Sequence, residues 1–310
     1  MSVSVASLPV NPGPSAARGY VLIHICVVLW GFTPIMGRVI SLDALDLVWW
    51  RMLLATAALL LLPATWRGIA RMNTRLVLQC CGVGVVLAIA WWLFYLSIKL
   101  TNASVGAVCL GTAPLFIALC GPLLTRRPFK HSDLVLAIAI IPGVALVVGG
   151  IPAGMYAGFG VGLLSAACLA GFSSLNKWLV SRAQPLGATC LELASGAAFL
   201  TLLLVVLPAG EASFAWPHGH DMVLLLVFAV VLTSLPMALM LLALRSITAF
   251  AQQMATNLEP VYAVIIAVPL LGEGRQLDWL FYLGMTLIVG AVMVEPIMLR
   301  WHNRRHVLAG

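Results

Sequence analysis

The chain has 310 residues, of which 62% are hydrophobic and only 9% are charged, and its mean hydropathy is +1.08. Soluble domains contain about 25% charged and about 45–50% apolar residues, so this composition excludes an ordinary water-soluble domain. The formal net charge of +7 would suit a nucleic-acid surface. The basic residues follow a membrane topology instead, and we predict no nucleic-acid partner.

Ten long apolar blocks follow one another along the chain. A spanning helix needs about 20 mostly apolar residues to cross a hydrocarbon core of about 30 Å. The blocks lack the alternation of barrel strands, and Gly, Pro, Asn, Asp or basic residues separate them. They cover residues 19–40, 44–63, 74–98, 102–125, 131–150, 155–181, 187–208, 221–244, 248–271 and 277–299. We predict an all-α membrane protein with ten transmembrane helices.

The basic residues indicate how these helices are oriented. With the N-terminus in the cytoplasm, only Arg38, Lys99 and Arg275 fall outside, Arg51 lies within a span, and the rest of the 17 Lys and Arg fall inside. This bias follows the positive-inside rule and favours an even number of spans. We therefore predict a multi-pass protein of the cell inner (cytoplasmic) membrane. Residues 1–18 are expected to form a disordered cytoplasmic tail, and residues 300–310 a basic cytoplasmic tail.

Short segments recur along the chain at a nearly constant offset. Each half, covering residues 19–150 and 155–299, contains five predicted spans. The matched segments are Trp30–Thr33 with Ala170–Ser173, Thr112–Phe116 with Leu258–Tyr262, and Gly143–Gly149 with Gly284–Gly290. Because five is odd, the second half must be inverted relative to the first. Two inverted five-helix repeats are a recurrent plan of secondary transporters, whose site lies near the midplane between the repeats.

These residues resemble the EamA-type ten-helix permeases of the drug/metabolite transporter superfamily. The resemblance extends over about residues 19–298 and is carried by Trp30-Gly31, Arg51, Ala113-Pro114-Leu115-Phe116, Leu258-Glu259-Pro260 and Gly272-Glu273. It implies a transporter of a small organic solute, such as a metabolite, an amino acid or a drug-like compound, and it implies export. The family often carries an acidic element after its fourth helix, where this chain has Arg126-Arg127. Only the second half keeps Gly272-Glu273, and we assign Glu273 no functional role.

The ninth block contains the deepest carboxylate, Glu259. A charge at that depth costs about 3 kcal/mol on insertion scales, so the side chain should face protein or water. It could couple transport to a proton gradient or contact the solute; the alternative is a neutral Glu hydrogen-bonded between helices. Gln252 and Thr256 share its helix face, and Gln253 and Asn257 form an adjacent stripe. We expect this polar face to line a cavity, with hydrogen bonding between helices as the alternative.

Pro114 and Pro260 occupy matched positions in the two halves. Each lacks an N–H group and frees the carbonyl of Leu110 or Thr256, respectively. Symmetric breaks of this kind point to a central site, whereas a simple packing kink is the alternative. Pro34 and Pro236 free carbonyls in the same way without a matched partner.

Charged side chains within other blocks are further candidates. Arg51 could bind an anionic group, pair with Glu259, or extend to the outer surface near Asp43 and Asp46. Lys177 and Glu192 lie near the inner ends of consecutive spans, where they could form a gate or a structural ion pair.

Aromatic side chains suggest a stacking surface. Trp30 lies in the middle of the first block, and Trp91 and Tyr95 are one helical turn apart. They could contact an amphipathic or aromatic solute. Trp and Tyr near span ends more often mark the membrane interface.

Two other functions are alternatives to transport. An intramembrane enzyme needs paired catalytic groups at membrane depth, but only Glu259 is a deep carboxylate and no His-Glu-x-x-His, Gly-x-Gly-Asp or Gly-x-Ser-x-Gly motif occurs. The cysteines show no metal-ligand spacing. We predict no enzymatic activity, no metal and no cofactor. A non-transporting receptor is the second alternative. The predicted partners are a small-molecule substrate and the lipid bilayer, and the sequence leaves the oligomeric state open.

The predicted topology is testable with reporter fusions. Green fluorescent protein joined to the C-terminus should fluoresce, and alkaline phosphatase joined there should be inactive, because both termini lie in the cytoplasm. The same two reporters inserted at Ala153, in a predicted outer loop, should give the opposite pattern. An active phosphatase at the C-terminus would contradict an even number of spans.

Overall fold

The computed structural model describes residues 16–125, 131–180, 182–206, 214–243, 246–247 and 255–308, which contain helices and no strand. The helices, numbered in chain order, are α1 (Ala16–Gly31), α2 (Thr33–Val39), α3 (Ala44–Leu60), α4 (Pro63–Ala70), α5 (Thr74–Leu100), α6 (Ala103–Gly111), α7 (Ala113–Thr125), α8 (His131–Gly149), α9 (Tyr156–Val180), α10 (Pro185–Val206), α11 (His220–Ala229), α12 (Leu235–Ala243), α13 (Glu259–Leu271) and α14 (Trp279–Leu308). A π-helical segment, Val230–Ser234, joins α11 to α12, and short 3-10 turns cover Ala153–Met155 and Glu273–Arg275.

The helices follow the predicted apolar blocks, and their outer faces are apolar. Leu78 of α5 is 66% exposed and Val206 of α10 is 70% exposed, which suits contact with lipid rather than water. Five described helices are long and apolar enough to cross a membrane: 17–39, 74–100, 153–176, 185–206 and 220–237. The chain is therefore a multi-pass membrane protein. Four shorter apolar helices and the bent pair α3–α4 match the other blocks, so the total of ten crossings stays a prediction.

The second block does not continue as one straight helix. α3 ends at Leu60, and α4 runs at 91° to it. The hydroxyl of Thr65 donates to the Leu59 carbonyl at 2.8 Å, and the indole N–H of Trp66 donates to the Leu60 carbonyl at 2.8 Å. These bonds satisfy carbonyls that the end of α3 leaves open. With Trp66 exposed, α4 has the character of a helix at the membrane surface.

The last helix is longer than its apolar block. α14 continues to Leu308, through most of the segment expected to be a basic tail. At the other terminus α1 begins at Ala16, and residues 1–15 lie outside the described part of the chain.

Several of the larger contacts between helices are related by exchange of the two halves of the chain. α3 packs on α10, and α8 packs on α14, so corresponding helices meet. Three further contacts have a counterpart under this exchange: α5–α9 with α12–α1, α7–α9 with α13–α1, and α5–α10 with α11–α3; α4–α10 and α7–α8 have no such counterpart among the larger contacts of the described helices.

Glycines bring α8 and α14 into backbone contact. A Cβ atom on Gly143 would lie 2.9 Å from the carbonyl oxygen of Gly284, and one on Gly284 would lie 2.7 Å from the amide nitrogen of Val147. Only glycine permits this approach, as in other close helix pairs of membrane proteins. The two glycines belong to the segments that recur in the sequence.

A buried carboxylate from the second half caps a helix of the first half. Glu273 is 3% exposed, and it accepts hydrogen bonds from the amides of Ala103 at 2.8 Å and Ser104 at 2.9 Å. The Ser104 hydroxyl donates a third bond at 2.5 Å. These groups form the N-terminus of α6, where a negative charge is favourable. The sequence predicts no function for Glu273. The structure gives it this structural role, which we call the Glu273 cap.

A second set of hydrogen bonds joins separate segments at the same end of the bundle. Asp221, at the start of α11, accepts hydrogen bonds from the amide of Ser41 at 3.3 Å and from the Ser41 hydroxyl. The ammonium group of Lys99 donates to the Ile40 carbonyl at 2.6 Å. We call these contacts the Asp221 clamp. The topology predicts that this end faces outside, and we refer to it as the outer end.

The Glu273 cap predicts a specific loss of stability. We expect Glu273→Gln to lower the free energy of unfolding by about 1–3 kcal/mol, because a neutral amide with one acceptor oxygen replaces a carboxylate that accepts three bonds. Thermal unfolding of the purified protein in detergent measures the change. Asp278→Asn is the matched control, because the exposed Asp278 carboxylate accepts a bond only from the adjacent amide of Trp279, the first residue of α14, among the described residues. Equal losses in both variants would contradict a special role for Glu273.

Candidate functional site

A cavity of about 320 Å³ lies in the centre of the bundle, between the two halves. The first half lines the cavity with helices α1, α2, α3, α5, α6 and α7. The second half lines it with α9, the π-helical segment, α12, α13 and α14. Its walls are mostly apolar with a few polar groups, which is the usual make-up of a small-molecule site.

The cavity brings together most of the candidate residues taken from the sequence. They are Trp30, Arg51, Trp91, Tyr95, Pro114, Thr256, Asn257, Glu259 and Pro260. Gln252 and Gln253 lie outside the described residues. Glu192 is buried elsewhere, in α10, and the side chain of Lys177 in α9 is outside the described part of the structure. Contact between Lys177 and Glu192 therefore stays a prediction.

Prolines mark breaks in the helices that surround the cavity. Pro34, Pro114 and Pro260 each follow a residue that ends regular helix, at Phe32, Thr112 and Leu258. At all three breaks the amide bonds to a carbonyl three residues earlier: Phe32 to Leu29 at 3.2 Å, Thr112 to Cys109 at 3.0 Å and Leu258 to Ala255 at 3.0 Å. Proline cannot continue the regular pattern, and irregular backbone at membrane depth requires protein or a cavity beside it. The matched pair Pro114 and Pro260 thus produces breaks beside the cavity rather than simple kinks.

The guanidinium group of Arg51 lies at the cavity wall and is held by two hydroxyl groups. Its Nε donates to Thr233 Oγ1 at 3.0 Å, and its Nη1 donates to the Tyr95 hydroxyl at 3.0 Å. Each hydroxyl in turn donates to a backbone carbonyl, that of Phe228 at 2.8 Å for Thr233 and that of Thr33 at 3.3 Å for Tyr95. Both acceptors are therefore oriented toward the cation.

Aromatic rings enclose the same group. The guanidinium carbon of Arg51 lies 3.7 Å from the ring centroid of Trp91 and 4.3 Å from that of Phe228. Cation–π attraction is strongest where water is excluded, and Arg51 is only 5% exposed. The side chain therefore extends into the bundle, which contradicts the alternative in which it reaches the outer surface near Asp43 and Asp46.

Glu259 supplies the opposite charge in this cavity. It is the first residue of α13, directly after the break at Leu258, and a helix N-terminus favours a carboxylate. It interacts electrostatically with Arg51. The site therefore combines a fixed cation, an ionisable acid and an aromatic wall that includes Trp30, Trp91 and Tyr95.

Thr233 and Phe228 were not among the sequence candidates. Thr233 lies in the π-helical segment, where its hydroxyl bonds to the carbonyl of Phe228, five residues earlier. The wider turn places both side chains against Arg51. The only sequence signal for this π-helical turn was Pro236, which frees the Leu232 carbonyl. Hydropathy does not indicate that the turn before the proline is wider than an α-helical one.

The contact between Arg51 and Thr233 predicts a difference between two variants. Thr233→Val should lower the free energy of unfolding by about 1–3 kcal/mol, because it leaves a buried guanidinium donor without its acceptor. Thr233→Ser should keep most of the stability, because the hydroxyl is retained. Thermal unfolding in detergent compares them, and equal melting temperatures for the Val and Ser variants would contradict the hydroxyl's role.

The chain matches a known protein family and known structures. The model of the EamA-like transporter family matches residues 17–149 and again residues 157–294. Twenty chains of known structure match as well. One of them, described only as a crystal structure of a protein, covers 92% of this chain and 98% of its own length with a TM-score of 0.61 and 14% identity. No curated protein sequence matches.

The two matches of the family model cover nearly the whole chain, one over each half. The structural match has low identity and supports the fold alone. The resemblance inferred from the sequence motifs is confirmed, and the chain belongs to the EamA-like transporter family.

Proposed function

We propose that the protein is a secondary transporter that exports a small organic solute across the cell inner membrane, with both termini in the cytoplasm. The solute binds in the central cavity, and two inverted repeats expose that cavity alternately to the two sides. Protonation of Glu259 couples the movement to a proton gradient. The observation that carries this proposal is a cavity between the halves of the chain that holds Arg51 and Glu259 against aromatic walls.

The cavity suits solutes that combine charge with an apolar body. An anionic group can bind Arg51, whose guanidinium is already oriented by Thr233 and Tyr95. A cationic group can bind ionised Glu259, and the aromatic wall can stack on an apolar or aromatic part. Metabolites, amino acids and amphipathic drug-like compounds fit this description.

Alternating access is supported by how the helices pack and by the outer end. Several of the larger contacts between helices are interconverted by exchange of the halves, as expected for repeats that rock against each other. The Glu273 cap and the Asp221 clamp join segments far apart in the chain at the outer end. Opening the cavity to the outside requires these bonds to break, so the packing seen here represents an outward-closed state.

Coupling follows from competition at Glu259. Ionised Glu259 attracts Arg51 and any cationic group of the solute, whereas the neutral acid attracts neither strongly. A proton and the solute therefore compete for the same carboxyl group. When the cavity opens to a more acidic outside, protonation displaces the solute; when it opens to the cytoplasm, loss of the proton restores solute binding. This cycle exchanges protons for solute.

Flux through purified protein in liposomes tests the proposal. We expect one class among amino acids, nucleosides and amphipathic organic cations to cross, as read by mass spectrometry. A pH difference of about one unit should drive a neutral solute uphill by at most about tenfold for each proton exchanged. Glu259→Gln should equilibrate the solute without concentrating it, because its amide cannot take up a proton.

Controls separate the other functions. Glu259→Asp retains an ionisable carboxyl group and should keep some uphill transport, and liposomes without protein give the leak. Equal flux with and without the gradient would contradict proton coupling. Chemically altered solute would favour an intramembrane enzyme, and binding without flux would favour a receptor.

A further inference from the structure

A second buried carboxylate lies outside the cavity. Glu192 of α10 is 2% exposed, and its Oε1 atom has no hydrogen-bond partner among the residues that the structure describes. Polar groups at membrane depth are normally paired, so an unpaired carboxyl oxygen in this position requires an explanation.

Glu192 lies where α10 crosses α5, and the two backbones touch there. A Cβ atom on Gly84 of α5 would lie 2.6 Å from the Cα atom of Glu192. The hydroxyl of Ser195, one turn further along α10, bonds to the Cys81 carbonyl of α5 at 3.0 Å and to the Glu192 carbonyl at 3.1 Å. The crossing is thus closely packed, and it joins helices from different halves of the chain.

The surroundings of Glu192 provide no described cation. Cys80 and Cys81 of α5 are the titratable groups on its side of the crossing, and Cys80 interacts with it electrostatically. Charged residues on the other elements packed against α10 are engaged elsewhere: Arg51 at the cavity wall, Asp46 with the Ala215 amide, and exposed Arg67 with the Pro63 carbonyl. Lys177 of α9 has a side chain outside the described part of the structure.

We propose that Glu192 is a proton-binding site in the interface between α5 and α10, which holds its proton while the helices are packed and releases it when they separate. An unpaired negative charge in this environment is strongly unfavourable, whereas the neutral acid leaves only a hydrogen bond unmade. Separation of the helices admits water, which stabilises the ionised form.

Linkage gives the direction of the effect. The packed form binds one proton more than the separated form, so acidification favours packing and alkalinisation favours separation. Any role in the transport cycle rests on the proposed alternating access. Proton binding by Glu192 does not, and it can be tested without a solute.

The position of Glu192 in its repeat relates it to the cavity. It lies as far from the start of α10, at Pro185, as Arg51 lies from the start of α3, at Ala44. α3 and α10 are corresponding helices that pack on each other. Equivalent positions therefore carry a cation at the cavity wall in one half and an acid in the helix interface in the other.

Infrared difference spectroscopy of the purified protein tests proton binding directly. We expect wild type near neutral pH to show the C=O band of a protonated carboxyl group that Glu192→Gln lacks and Glu259→Gln retains. Absence of a band that depends on Glu192 would show an ionised side chain, for example one paired with Lys177, and would overturn the proposal.

Alkylation of native cysteines provides a second readout that needs no introduced label. Cys80, beside Glu192, and Cys109, in α6, are both 0% exposed. Below about pH 8 both thiols remain mostly protonated, so their thiolate fractions rise with pH by nearly the same factor, and the ratio of their alkylation rates isolates helix opening. We expect the Cys80:Cys109 ratio to rise severalfold from about pH 6 to about pH 8 in wild type, and to stay flat in Glu192→Gln. A flat ratio in wild type would overturn the proposal even if solute flux were observed.

Discussion

Arg51 carries a positive charge into the centre of a bundle whose outer faces are apolar, and much of the local structure satisfies that charge. The aromatic faces of Trp91 and Phe228 enclose the guanidinium group, and hydroxyls of Thr233 and Tyr95 accept its hydrogen bonds. Thr233 reaches it from a π-helical turn, which precedes Pro236. The opposite charge, on Glu259, lies at a helix break that precedes Pro260. Irregular backbone and buried charge therefore occur together here. In a membrane, irregular backbone requires protein or a cavity beside it, and a buried charge requires a partner or a cavity beside it.

The positions of the helices were predictable because the bilayer imposes a length and a polarity on every span. Where the prediction failed, the cause was local. Leu61 and Leu62 are as apolar as the span before them, so hydropathy gave no sign that the chain turns by 91° after α3. The π-helical turn at Thr233 preserves the average hydropathy and changes only the register. Hydropathy averaged over a window of about 20 residues is insensitive to such features, because they depend on single hydrogen bonds.

Candidate site residues were predictable for a related reason. A polar side chain deep in a span must avoid lipid, so Thr256, Asn257 and Glu259 were expected to face inward. They line one cavity with Arg51, whose direction the sequence left open. Their partners were not predictable. Thr233 is 182 positions from Arg51, and the Ala103 amide is 170 positions from Glu273. No periodicity within a helix reports contacts at such separations, and the repeat offset of the sequence did not point to them either.

The repeats correspond in packing but differ in charge. When the two halves are exchanged, the position of Arg51 corresponds to that of Glu192. In the sequence, the position of Glu273 corresponds to one near Arg126-Arg127. A bundle with equal halves would have two end states of equal free energy, and a change of pH would favour neither. Different ionisable groups at equivalent positions remove that equality, because protonation acts on acids that lie on different elements and in different environments. In the proposed transport cycle, the repeated scaffold supplies the movement, and the unequal ionisable groups supply its direction.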